Sequence, residues 1–149
     1  MKKILYILIL FALTGCGYEP IYVQKNLTNI EIKSIKLEGD KKINRKIISQ
    51  IAPKLNKNNA LAYDLELNSN QFIDAVAKDS AGNTTTYRMT VEVDLFLKGS
   101  NDKNKSKKFI LSFTYNTRDN KFNLLQYQKN IENNLINKIS QEIKIFLNS

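Results

Sequence analysis

Tyr87-Arg88-Met89-Thr90-Val91-Glu92-Val93-Asp94-Leu95-Phe96-Leu97-Lys98 is the stretch that decides the fold. Tyr87, Met89, Val91, Val93, Leu95 and Leu97 fall on one side of an extended chain. Arg88, Thr90, Glu92, Asp94 and Lys98 fall on the other, with Phe96 the exception. A strict period of two is the signature of a strand buried on one face and wet on the other. The chain therefore contains a sheet with one dry face, and something else must cover that face.

The neighbouring segments supply the rest of the sheet. Phe109, Leu111, Phe113 and Tyr115 alternate in the same way downstream. Between the two strands Gly99 to Lys108 reads as a polar loop carrying Lys103, Lys105, Lys107 and Lys108. Upstream, Asp79-Ser80-Ala81-Gly82-Asn83 is turn chemistry. Before it Leu61, Tyr63, Leu65 and Leu67 alternate, and the strand runs on irregularly through Phe72, Ile73, Ala75 and Ala77. The first strand lies in Asn29 to Leu37. Its alternation changes phase between Ile32 and Ile35, which a bulge near Ser34 reconciles.

Two helices are expected to cover the dry face. Ile43, Ile47, Ile51 and Leu55 recur every fourth residue after Gly39-Asp40, with Asp40 a suitable cap and Pro53 weakening the last turn. From about Asn123 to Leu147 a second stripe holds Leu124, Ile131, Leu135, Ile139, Ile143 and Leu147, widened by Ile136 and Phe146. The order β-α-β-β-β-α predicts an α+β two-layer sandwich, a mixed four-stranded sheet with both helices on one face. The first two strands, separated by a helix, are expected to be parallel neighbours.

The chain's 149 residues suit one domain, expected at 29–149. What precedes it reads differently. Lys2 and Lys3 are followed by ten apolar residues, Ile4 to Leu13. A bilayer span needs about 20. Ten is the length of the central region of a signal peptide, here residues 1–15. Leu13-Thr14-Gly15-Cys16 resembles the bacterial lipobox. In such signals the thiolate of the cysteine takes a diacylglycerol, the chain is cut just before it, and the new amine is acylated. Cys16 is the chain's single cysteine, so no internal disulfide competes for it. Gly17 stands where Asp commonly signals inner-membrane retention, which implies the outer membrane. Residues 16–28 form a lipidated tether containing Pro20.

Net charge is +9 over the full chain. Without Lys2 and Lys3 it is +7, from 21 basic and 14 acidic residues. An anionic partner is one explanation; an AT-rich coding bias toward Lys, Asn and Ile is the other. A nucleic acid suits the charge but not the export signal. Catalysis has little to draw on. There is no histidine, the lone thiol is consumed by lipid, and the five glycines form no phosphate-cradling loop. No catalytic residue, metal ligand or cofactor is implied, and the expectation is a protein that is not an enzyme.

Two stretches resemble the lipopolysaccharide-assembly lipoprotein family LptE, also called RlpB. One is Cys16-Gly17-Tyr18-Glu19-Pro20-Ile21-Tyr22. The other runs from Thr86-Tyr87-Arg88 through Ser112-Phe113-Thr114-Tyr115-Asn116 into the final helix with Tyr127. The element order agrees along almost the whole mature chain. The resemblance implies an outer-membrane lipoprotein facing the periplasm, a plug and assembly partner of the barrel LptD that binds lipopolysaccharide. Arg88, Lys98, Lys103, Lys105, Lys107 and Lys108 are the candidate contacts, because such cations donate charge-assisted hydrogen bonds to phosphate oxygens. The competing reading is an accessory lipoprotein of another envelope machine, such as a secretin pilotin or an auxiliary subunit of a lipid transporter.

Overall fold

The computed structural model describes residues 30–100 and 103–149. The expected signal peptide, Cys16 and the expected tether lie outside those residues. The elements are β1 (Glu31–Gly39), α1 (Lys41–Ile51), β2 (Lys54–Leu55), β3 (Tyr63–Lys78), β4 (Thr84–Lys98), β5 (Lys105–Asn116) and α2 (Lys121–Asn148). They form an α+β sandwich whose sheet runs β2-β1-β3-β4-β5. The sheet has five strands rather than the expected four. The extra one is the two-residue β2, too short to produce a pattern in sequence. Leu55, expected on the first helix's stripe, lies in it, because that helix stops ahead of Pro53.

β1 runs parallel to β3, and β3-β4-β5 is an antiparallel meander. The register of β1 slips between Ile32 and Ser34, where the change of phase called for a bulge. β4 is the middle of the core: Met89, Val91, Val93, Leu95 and Leu97 are all fully buried under the helices. Ile43, Ile47 and Ile51 of α1 and Ile131, Leu135, Ile136, Ile139, Ile143 and Leu147 of α2 complete that layer.

Each helix begins where a side chain satisfies its orphan donors. Asp40 Oδ1 accepts from the Lys42 and Ile43 amides at 2.8 and 3.0 Å. Asn120 Oδ1 does the same for Phe122 and Asn123, at 2.8 and 3.3 Å. α1 ends with Ala52 in the left-handed region, its amide donating to the Ile48 carbonyl at 2.9 Å. The segment after it is pinned to β1 by Glu31. That carboxylate accepts from Asn59 and Asn56 and pairs with Lys54 at 2.7 Å. The Asn59 amide leads Lys54 and Asn56 in holding its pKa down to about 2.

The seam between the helices is polar at one point. Glu132, only 11% exposed in its side chain, takes Lys46 Nζ at 2.9 Å and Lys42 Nζ at 3.1 Å. Burial raises its pKa, and the hydrogen bonds from Lys46 and Lys42 outweigh that, leaving it lowered. A carboxylate depressed on folding contributes stability above its unfolded pKa and loses it as pH falls through the folded value. Glu132→Gln should therefore cost about 1–3 kcal/mol at neutral pH, because two ammonium groups lose their partner. Urea titrations at neutral and acid pH check this: the gap between variant and parent should close on acidification.

Candidate functional site

The face of the sheet away from the helices is the first surface to consider, because the alternation in every strand sends polar groups there. Several neighbours on it, within and across strands, are ion pairs. Lys36 lies 2.7 Å from Glu38 and 3.1 Å from Glu66, and Lys98 reaches Glu66 at 3.3 Å. Lys108 lies 3.1 Å from Glu92 and 3.9 Å from Asp94. Salt links of this kind raise the Lys36 and Lys108 pKa values and lower that of Glu66. All are solvated, so each adds little stability. Their consequence is electrostatic: cations on this face are largely neutralised by carboxylates. Phe96 and Ile110 stand exposed among them.

The six candidate cations do not form one patch. Lys98 and Lys108 sit on the open face, already paired. Arg88 shares that face at the far end of β4, opposite Asp74 and Thr114, with its Nε 3.5 Å from the Thr114 hydroxyl. Ten residues of strand put it ~33 Å from Lys98. Lys105, Lys107 and Lys108 are not in a loop, as the sequence suggested, but in the first turn-free residues of β5. The loop is shorter because β5 pairs all the way back to Lys105, opposite Leu97. Alternation then sends Lys105 and Lys107 to the helix side. Lys107 Nζ lies 5.1 Å from the centre of the Phe109 ring and 5.7 Å from that of Phe146. Lys103 is exposed, and among the described residues neither it nor Lys105 makes an ion pair.

Two features were not read from the sequence. β1 pairs with β3 only as far as Ser69, so β3 continues beyond it as an arm with a free outer edge, held on its other side by β4, which itself pairs with β5 as far as Thr86 and Asn116. Phe72, Ile73 and Val76 are exposed on that arm. The irregular pattern after Leu67 was its trace: where both faces meet water, no side is selected to be apolar. The second feature is a groove of about 510 Å³ between β5 and α2. Phe113, Tyr127, Ile131 and Leu135 form its apolar part, and Asn130, Asn134, Asn137, Lys138 and Gln141 its rim. Phe113 lies on the helix side yet remains 46% exposed, because β5 is the outermost strand.

Among the described residues no three carboxylates gather where they could hold a metal ion. None of the described helices is long and apolar enough to cross a membrane.

No family model matches the sequence, and no curated protein does. Solved structures match the fold. Rare lipoprotein B from Shewanella oneidensis superposes with a TM-score of 0.58 at 12% identity, over 74% of this chain and 89% of that one. A minor lipoprotein from Acinetobacter baumannii gives 0.59 at 12% identity, over 80% and 92%. Lipoprotein B from Nitrosomonas europaea gives 0.51 at 10% identity, over 78% and 86%. At such identities the match establishes architecture. The chain has the fold of the rare lipoprotein B (LptE) structures, the fold that its sequence resemblance implied.

Proposed function

We propose that this chain is an LptE-type lipoprotein: held at the outer membrane through Cys16, facing the periplasm, seated in the barrel LptD and binding lipopolysaccharide as it is exported. No catalytic role is assigned to it. The observation that carries this reading is the fold held in common with rare lipoprotein B over three-quarters of the chain, together with a lone cysteine placed at a lipobox. The surfaces are compatible with the role. A plug needs a rigid two-layer body, and the open face offers a water-filled lumen a self-neutralised polar surface. For lipid A phosphates the structure favours Lys103, Lys105 and Lys107 over Lys98 and Lys108, because the latter two are engaged by carboxylates.

Affinity purification of the tagged full chain from detergent-solubilised outer membranes tests this. A large β-barrel recovered in equal amount, with lipopolysaccharide, is the expected result. A secretin ring or an inner-membrane ATPase in its place would establish the competing accessory role instead.

A further inference from the structure

Among the described residues, the outer edge of β5 is the one long strand edge left without protection. A free edge exposes a row of backbone donors and acceptors, and proteins usually blunt it with charge, bulges or brevity. The opposite edge of this sheet follows that rule. β2 is two residues long, and the rest of β1's edge carries Lys33, Lys36 and Glu38. The free part of β3 carries Asp74 and is broken by register shifts near Ala77. β5 differs. Lys105, Lys107 and Lys108 guard its first four residues, and then Phe109-Ile110-Leu111-Ser112-Phe113-Thr114-Tyr115 runs seven residues without charge, proline or glycine. Such a window on an open edge is built to pair. Ile110 and Phe113 on its two faces are 52% and 46% exposed.

We infer that the occupant of this edge is a second copy of the same chain, its β5 antiparallel to the first about a two-fold axis through Ser112. Three observations select this occupant. Centring the pair on Ser112 sets Phe109 against the partner copy's Tyr115, Leu111 against the partner copy's Phe113 and Ile110 against the partner copy's Thr114. All seven uncharged residues then face one another. In that register Lys108 faces an asparagine, Lys107 a threonine, and Lys105 runs toward the partner copy's Asp119, so no lysine meets another. Next, the groove beneath the edge is the space that an added strand's helix-side residues would fill, and Phe113, Ile131 and Leu135 already line it. Finally, the flank of α2 beside the groove carries Asn130, Asn134, Asn137 and Gln141, with Lys138 its one charge. On a mature chain of net charge +7 this flank brings little charge of its own to a second copy. A barrel wall is a poorer mate, because closure leaves a barrel without free edges. The pairing is isologous and closes at two copies. The pairing belongs to the chain outside a barrel, and it does not depend on the role in lipopolysaccharide export.

The full lipidated chain, purified in mild detergent, should sediment as a dimer in density-matched ultracentrifugation. Ser112 is exposed on the open face, so Ser112→Lys should still fold, with a cooperative melt and the parent's circular dichroism, while placing two ammonium groups at the axis and yielding monomer. Ser112→Cys should link two chains through a disulfide on a non-reducing gel, whereas the parent chain and Ser106→Cys should not. A parent that stays monomeric at every concentration overturns the inference. So does a dimer that survives Ser112→Lys, or a monomer whose β5 edge is shown to bind an extended peptide of another protein.

Discussion

Gly39→Ala should destabilise the domain by about 3–4 kcal/mol, among the largest losses available to a single added methyl group. Two costs combine. Gly39 has φ of +76°, where a side chain is strained. A Cβ built there would also lie 2.1 Å from the Ser69 carbonyl oxygen and 2.7 Å from Asn68 Oδ1. The first of these is backbone, so it cannot swing away. Gly39 and Ser69 are the last paired residues of β1 and β3. The same Ser69 carbonyl accepts the Asp40 amide at 2.7 Å, and the Ser69 hydroxyl donates to the Asp40 carbonyl at 3.2 Å. Pushing β3 away would therefore loosen the start of α1 and its Asp40 cap together. Gly82→Ala is the control. Its φ is +85°, but nothing lies within 4 Å of the added methyl group. Only conformational strain remains there, about 1 kcal/mol. Chemical denaturation of both variants measures the difference, and equal losses would mean that the Ser69 contact yields freely.

That corner also marks how far the sequence could be read. Gly39-Asp40 announces the end of a strand and a helix cap, and both are present. It does not announce that the glycine is pressed against β3, because that contact joins residues thirty positions apart. The five dry-face residues of β4 were legible since burial on one side selects for them at period two. The stripes of α1 and α2 were legible for the same reason at period 3.6. β2 was not, having two residues and therefore no period. Glu132 was not either. A carboxylate on a helix reads as solvated, and only the packing of α1 beside α2 brings Lys42 and Lys46 to it.

The cations show the same boundary from the functional side. A run of lysines is visible in sequence, but its meaning depends on which face each one takes. Alternation along β5 divides the run, sending Lys108 to Glu92 and Lys107 to Phe109 and Phe146. The clustering along the chain therefore did not become a cluster in space. The free end of β3 went unread for the converse reason: a stretch exposed on both faces carries no burial pattern of its own.

Cys16→Ser should remove the protein from the outer membrane almost completely. Among the described residues no helix is long and apolar enough to cross a bilayer in place of the lipid. One acyl chain gives only marginal membrane binding, with an association constant of about 10⁴ M⁻¹, whereas two or more hold a protein stably. A serine hydroxyl is not a thiolate and takes no diacylglycerol, so the change deletes every chain at once rather than one of several. The variant should appear in a soluble fraction, or in the inner membrane with its signal sequence uncut. Density-gradient fractionation reports where it goes, and the mass of the intact native protein reports why. The parent should begin at Cys16 and carry the added mass of its fatty acyl groups. A parent that begins at Met1 with a free thiol, or a variant recovered undiminished in the outer membrane, would leave the folded domain without the tether on which its placement rests.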